Sequence, residues 1–246
     1  SWWDPRADIE WLGDFGKSCW AYPPWGAWWA DEITALNLTV QGCISNGIPG
    51  SSLHMTYKTS LRKEKIQERN AISKKEMDLA EENTSAHFKN ICEELNFEKV
   101  SIYFPINNEV PTEIITRYIR ELGKKCYLPL IDKDLNNKEM EFSEFNSKVS
   151  LVKNKFNIPE PLNGYLTIAS ELDLIIMPLV AFDNKGYRLG MGKGYYDFTF
   201  KNFELTKKQV FLGLAYDFQK TESCYPEEHD LKMDAVICPS GIYKFS

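Results

Sequence analysis

The densest collection of chemically capable residues runs from Asp183 to Asp197, Asp-Asn-Lys-Gly-Tyr-Arg-Leu-Gly-Met-Gly-Lys-Gly-Tyr-Tyr-Asp. It contains four of the chain's 14 glycines, Gly186, Gly190, Gly192 and Gly194. Glycine lets backbone approach a ligand closely and supplies turns with positive φ. Backbone N–H groups in such a loop hold phosphate oxygens where a strand feeds a helix. Arg188 and Lys193 add positive charge among the glycines, and Asp197 closes the stretch with a carboxylate suited to a hard divalent cation. The combination points to nucleotide phosphates, although the glycines alone would fit a tight surface turn equally well. The better-known phosphate loops do not match. A Walker A sequence needs Ser or Thr after Gly-Lys, and here Gly194 follows Lys193. Dinucleotide and kinase loops need G-x-G-x-x-G, whereas Gly190, Gly192 and Gly194 are spaced G-x-G-x-G.

Three other places carry candidate groups. Lys58 and Arg62 are four residues apart in the basic segment Tyr57–Arg69 and share a helical face, as do Lys65 and Arg69. Phe104 and Glu109 lie in Phe-Pro-Ile-Asn-Asn-Glu-Val-Pro-Thr, which ends at Thr112. Asp230 lies in Pro-Glu-Glu-His-Asp-Leu-Lys-Met-Asp, which ends at Asp234. On residue types alone each of the three reads as solvated surface, the usual fate of charge runs and single carboxylates.

The elements that must position these groups alternate between helix and strand. The apolar run Leu174–Phe182 predicts a buried strand directly before the glycine loop, and Gly194–Lys201 predicts the helix after it. Upstream, Ser73-Lys-Lys-Glu76 is a capping box that opens a helix reaching about Leu95. Val100–Phe104 and Lys125–Leu130 read as strands separated by a helix from Thr112 to a glycine stop at Gly123. Short strands are predicted at Met140–Phe142 and Leu151–Val152, and a rigid turn where two prolines bracket Glu160 in Asn157–Pro161. Val210–Ala215 and Ala235–Cys238 complete the strands. This order predicts an α/β fold of the Rossmann-like kind. Three layers, with helices on both faces of a mostly parallel sheet, would place ligands beyond the carboxyl ends of the strands.

Composition narrows the function classes. The 246 residues are 43% hydrophobic and 26% charged, as in an ordinary globular protein, and the net charge of −6 argues against a general nucleic-acid binder. No apolar run is long enough to span a membrane and no secretory leader is read. Six scattered cysteines without C-x-x-C fit reduced cytoplasmic thiols. All seven tryptophans fall before residue 30, and residues 1–54 carry net charge −4 against −2 for the remainder. His54-Met55 matches a dipeptide left by a common cloning site. Residues 1–54 are therefore expected to be a Trp-rich appended extension, and residues 55–246 the catalytic domain. The extension's aromatic density leaves a small binding module as the alternative for that segment.

The string Arg188-Leu-Gly-Met-Gly-Lys-Gly-Tyr-Tyr-Asp197 resembles the R-L-G-x-G-x-G-Y-Y-D signature of the 5-formyltetrahydrofolate cyclo-ligase family, also called 5,10-methenyltetrahydrofolate synthetase. Lys58-Thr-Ser-Leu-Arg62, followed seven residues later by Arg69, resembles that family's opening, and Pro226–Asp234 resembles its P-x-E-x-H-D-x-x-x-D ending with one position fewer before His229. Glu109, a few residues after a strand, falls where the family has a folate-contacting glutamate. The resemblance covers residues 56–243 and implies ATP-dependent, magnesium-dependent closure of 5-formyltetrahydrofolate to the 5,10-methenyl product. It implies ATP contacts from Lys58, Arg62, Arg188, Leu189, Gly190, Met191, Gly192, Lys193, Gly194, Tyr195 and Tyr196, with Lys58, Arg62, Arg188 and Lys193 acting on the transferring phosphoryl group. It further implies folate contacts from Phe104, Glu109, Met191 and Tyr195, a magnesium ion on Asp197 and Asp230, and a monomer in the cytoplasm. Phe198 departs from the family, which usually has a basic residue there. Two alternatives stay open: a phosphosugar isomerase or coenzyme-A-handling α/β protein without ATP dependence, or a binding module carried by residues 1–54.

Overall fold

A computed structural model describes residues 50–131, 139–201 and 209–245. The tryptophan-rich segment, and with it the binding-module reading, lies outside the described residues. The chain divides into two units, Ser1–Tyr57 and Lys58–Ser246, and the architecture below is that of the second.

Helix α1, Gly50–Asn70, carries Lys58, Arg62 and Arg69, and α2 follows at Lys74–Cys92. The predicted capping box is present: Ser73 Oγ accepts from Glu76 N, and Glu76 Oε2 accepts from Ser73 N at 2.8 Å. Then come β1 (Lys99–Ser101), α3 (Glu113–Glu121), β2 (Lys125–Leu130), β3 (Glu141–Glu144), β4 (Leu151–Lys153), β5 (Pro159–Pro161) and β6 (Leu166–Thr167). The remaining elements are β7 (Leu174–Pro178), β8 (Ala181–Asp183), β9 (Arg188–Leu189), α4 (Tyr195–Lys201), β10 (Val210–Leu214), β11 (Lys220–Thr221), β12 (Ala235–Cys238) and β13 (Gly241–Lys244).

The main sheet has the order β13-β12-β10-β7-β1-β2-β3-β6. Its five central strands, β12, β10, β7, β1 and β2, are all parallel, and antiparallel strands close both edges. The chain builds outward to one side from β1 to β2 and to the other from β7 through β10 to β12. The strand order therefore reverses between β1 and β7, and such a switch point opens a crevice at the carboxyl ends of the two strands.

The central strands are apolar on both faces because both are covered. Side chains alternate along a strand, and the two cores sort accordingly. Leu174 and Ile176 of β7, Leu212 and Leu214 of β10, and Ala235 and Ile237 of β12 join Phe88, Ile91, Ile115 and Ile119 from α2 and α3 on one face. Ile175, Met177, Phe211 and Val236 join Phe142 and Phe200, the latter from α4, on the other. Phe200 meets Phe211 edge-on, with ring centroids 5.2 Å apart.

Two sequence expectations need correction. Leu174–Phe182 is two strands in two sheets. β7 ends at Pro178, which has no N–H to continue a ladder, and Val180 N turns to Leu189 O at 2.7 Å, so that β8 pairs with β9 and β11 in a separate small sheet. Pro159–Pro161 is a strand paired with β4. Glu160 Oε1 accepts from Ile131 N at 2.9 Å and Asn154 Nδ2 at 2.7 Å, tying that hairpin to the end of β2.

Candidate active site

The glycine loop hangs between β9 and α4 and is held by its flanks. Asp183 is buried and spans the turn before the loop: Oδ1 accepts from Lys185 N at 2.9 Å and Tyr187 N at 3.1 Å, and Oδ2 accepts from Cys224 N at 3.0 Å. Downstream, Gly192 and Gly194 have φ of 84° and 72°, a backbone region in which other side chains are strained. Met191, Gly192, Lys193 and Gly194 are exposed, while Leu189 is buried against Ala181, Cys224 and Leu61 of α1. The loop thus presents its backbone and Lys193 outward, with Leu189 as its buried anchor.

Helix α1 lies against this loop. Arg62 Nε donates to Gly190 O at 2.7 Å, and a Cβ added to Gly192 would sit 3.4 Å from the Arg62 guanidinium carbon. Lys58 Nζ reaches Glu227 Oε1 at 2.9 Å and Asp230 Oδ2 at 3.1 Å. Burial alone would lower the Lys58 pKa, but hydrogen bonds and charge from Glu227 and Asp230 outweigh it and raise the value. For Arg62 burial prevails over the Asp230 charge and the shift is downward. The basic face, which on residue types alone reads as solvated surface and which the resemblance assigns to the site, is docked: its cations meet two motifs more than 120 residues away in the chain.

Arg188 is 7% exposed and points at Asp197, with Nη1 to Oδ1 at 2.9 Å, while its guanidinium carbon stands 5.5 Å from the Tyr196 ring centroid. Asp197 Oδ1 also accepts from Leu231 N at 3.1 Å. Burial would raise the Asp197 pKa, but the Arg188 charge and these hydrogen bonds win and hold it below the usual carboxylate range. Asp230 Oδ2 accepts from Glu227 N at 2.9 Å as well as from Lys58. Because Leu231 follows Asp230, the bond to Asp197 brings both acidic motifs to one place. The bonds given above engage one oxygen of each carboxylate. Two carboxylates on adjoining segments are hard oxygen donors of the kind magnesium takes, so this pair fits such an ion. Among the described residues no cluster of three His, Cys, Asp or Glu forms a metal site, and the remaining ligands would come from phosphate and water.

Glu109 stands elsewhere, in the loop after β1. Asn107 and Asn108 have φ of 49° and 57°, making a tight turn closed by Glu109 N to Ile106 O at 3.0 Å. Asparagine tolerates that geometry better than most residues. Glu109 Oε2 folds back on Ile106 N at 3.1 Å, and Oε1 faces Arg69 Nη1 at 3.8 Å. The carboxylate is 7% exposed, and burial lifts its pKa to about 7 against the opposing pull of the Ile106 amide and the Arg69 charge. Phe104 is half-buried against the same core. Tyr195 is half-buried and packs on the opposite core, and Tyr196 places its hydroxyl in a buried position without a hydrogen-bond partner among the described residues.

Fold and site together define an open α/β protein whose candidate ligand groups gather around a cation-flanked glycine loop and the carboxyl ends of its central strands. The model of the 5-formyltetrahydrofolate cyclo-ligase family matches residues 54–239, and the chain belongs to that family. It is 34% identical over 148 residues to the 5-formyltetrahydrofolate cyclo-ligase of Escherichia coli (strain K12), covering 59% of this chain and 80% of that one. Against the mouse (Mus musculus) cyclo-ligase it is 33% identical over 149 residues, covering 58% and 73%. Among solved structures it resembles the 5,10-methenyltetrahydrofolate synthetase of Aquifex aeolicus, with a TM-score of 0.65, 30% identity, and coverage of 76% of this chain and 92% of that one. The Mycoplasma pneumoniae synthetase gives a TM-score of 0.60 at 25% identity, covering 73% and 97%.

Sequence reasoning overlooked two partners. The Arg188–Asp197 ion pair could have been suspected only from both residues bounding one motif. The spacing of Arg69 from Arg62 is visible in the sequence, but its burial beside Glu109 depends on a contact across 40 residues.

Proposed function

We propose that this chain is an ATP- and magnesium-dependent ligase that converts 5-formyltetrahydrofolate to 5,10-methenyltetrahydrofolate, releasing ADP and phosphate. The observation that carries the reading is the docking of α1 on the glycine loop, which joins Lys58, Arg62, Gly190, Gly192, Asp197 and Asp230 in one place. A formyl group on N5 is an amide and a poor electrophile for N10. Transfer of the γ-phosphoryl group of ATP to the formyl oxygen makes that oxygen a leaving group. N10 then attacks the formyl carbon and the five-membered ring closes; the N10 proton is lost to the departing phosphate or to water, and phosphate leaves with the oxygen to give the methenyl cation.

Phosphoryl transfer asks for positioning and charge neutralisation more than for covalent chemistry from the protein. In this reading Lys58, Arg62 and Lys193 meet phosphate oxygens, and the exposed backbone from Gly190 to Gly194, with Met191, Tyr195 and Tyr196, lines the nucleotide. Arg188 holds Asp197 ionised from behind. Asp197 and Asp230 would hold magnesium, which when bound neutralises charge on the phosphates and fixes their orientation. Glu109 and Phe104, with Met191 and Tyr195, meet the folate. No side-chain nucleophile is needed because N10 is already tethered to the reacting carbon's neighbour. Residues 55–246 carry all of these groups, and residues 1–54 carry none.

The test is to incubate the protein with 5-formyltetrahydrofolate, ATP and magnesium and to follow the absorbance of the methenyl product. Product is expected only when all three are present. Product without ATP, or none with it, would remove this reading in favour of an ATP-independent α/β protein.

A further inference from the structure

Arg69 is the largest fully buried polar side chain among the described residues, 1% exposed near the end of α1. It lies at the switch point of the sheet. One side of its guanidinium faces Glu109 in the loop after β1, and Nη1 also points at Leu179 O, the first residue after β7, at 3.5 Å. The loop after β10 closes the group. Gln219 Nε2 donates to Leu179 O and Val180 O at 2.9 Å each, and its Oε1 accepts from Tyr216 N at 2.8 Å. The carboxyl-end loops of three adjacent parallel strands thus meet here, those after β1 and β7 at the guanidinium and that after β10 through Leu179 and Val180, where an open α/β sheet binds its ligands.

As a structural device this arrangement is poor. Both Nη1 contacts are long, and Nε and Nη2 have no partner among the described residues, although a buried guanidinium normally has its donors engaged. The hydroxyls of Tyr196 and Tyr216 are likewise buried without a partner. A buried, half-satisfied charge costs stability. Departures of that kind concentrate where function demands them.

Resting on the functional reading above, we propose that Arg69 is a positioning residue for folate: its buried guanidinium fixes the Glu109 carboxylate at the switch point so that it can accept the N–H donors of the folate ring. Glu109 is faced by one cation, Arg69, and by the phenols of Tyr103, Tyr196 and Tyr216. Burial raises the pKa of all three phenols, that of Tyr216 to about 12, so they stay neutral in the working range. Burial lifts the Glu109 carboxyl to about 7, and the Ile106 amide and the Arg69 charge pull the other way, so Arg69 is the one side-chain charge that favours the ionised form. The same helix serves the other end of the reaction. Lys58, Arg62 and Arg69 fall on one stripe, and roughly 16 Å of helix axis separates the first from the last.

The experiment measures KM for 5-formyltetrahydrofolate and for ATP from pH 6 to 9 in wild type, Glu109→Gln, Arg69→Met and Arg69→Lys. Wild type is expected to lose folate affinity as pH falls through about 7, the value at which Glu109 protonates, and Glu109→Gln is expected to flatten that profile. Arg69→Met should raise folate KM about tenfold at pH 7 with ATP KM within twofold. That defect should shrink by pH 9, because removing an opposite charge moves a carboxylate's titration upward by about one unit or more. Arg69→Lys should restore most of the affinity at pH 7. An Arg69→Met defect that is equal for both substrates and unchanged at pH 9 would assign Arg69 to the scaffold alone. If Arg69→Met does not fold, the wild-type and Glu109→Gln profiles decide, and a flat wild-type profile overturns the proposal. A wild type that forms no methenyl product under any condition overturns the function itself, an outcome separable from the others.

Discussion

Helix α1 holds the two ends of its basic stripe in opposite electrostatic settings. At Lys58 and Arg62 it meets an exposed glycine loop and carboxylates that are partly open to water, with Asp230 at 17% and Glu227 at 49% side-chain exposure. At Arg69 it meets Glu109 at 1% and 8%. The first setting is a place where cations exchange one anionic partner for another at modest cost, since charges near water are well solvated. A lysine resting on Asp230 can pass to a phosphate when one arrives. The second is dry, and loss of water raises the Glu109 carboxyl to about 7 against the opposing pull of the Arg69 charge. One helix of uniform basic character therefore supplies an exchangeable contact at one end and a fixed one at the other. Burial, not residue type, makes the difference.

The contrast can be broken most sharply at Asp197 and Asp230, the pair proposed to hold magnesium. Asp197→Asn removes a hard anionic oxygen and the partner of Arg188 with little change of volume. Activity is expected to fall by about 10²-fold, equivalent to about 2.7 kcal/mol of transition-state stabilisation, and added magnesium should restore part of it while folate KM stays near wild type. Wild-type activity in both Asp197→Asn and Asp230→Asn would remove the metal site from the account.

Lys58→Ala probes the exchangeable contact itself. An increase of about tenfold in ATP KM, on the order of 1.4 kcal/mol, is expected, answered by higher ATP and not by higher magnesium. An equal rise in folate KM would mean that the two ends of α1 are not independent.

Gly192→Ala acts on the loop's shape. Its φ of 84° strains any residue with a Cβ, and the added carbon would press on the Arg62 guanidinium at 3.4 Å. A strain of about 1 kcal/mol should lower the melting temperature by about 2 °C to 4 °C and appear as a few-fold rise in ATP KM, and unaltered kinetics would show that the loop rearranges freely when nucleotide binds. The smallest effect is expected from a chain that begins at Met55. Its kcat/KM should stay within twofold of the full chain, and loss of most activity in a folded protein of that length would bring residues 1–54 into the site.

How far the sequence could be read depended on whether a feature was local. The capping box Ser73–Glu76, the strand Lys125–Leu130 and the stop at Gly123, with φ of 73°, follow from neighbours within a turn or a pleat, and all three stand as read. The motif Arg188–Asp197 was legible as a loop because glycine spacing is a local property. The break of Leu174–Phe182 into β7 and β8 was not, since an apolar run looks alike whether it pairs in one sheet or two.

By itself the sequence determined the alternating helices and strands and the glycine-rich, cation-bearing chemistry of residues 188–197. These depend on periodicity, turn geometry and residue type. Only the tertiary structure decided the environments. It docked a helix that reads as solvent-facing onto Gly190 and Asp230, turned Arg188 inward to Asp197, and sealed Arg69 and Glu109 under three strand ends. The physical reason is that charge acquires its strength from the dielectric around it, and burial is a property of contacts between segments far apart in the chain.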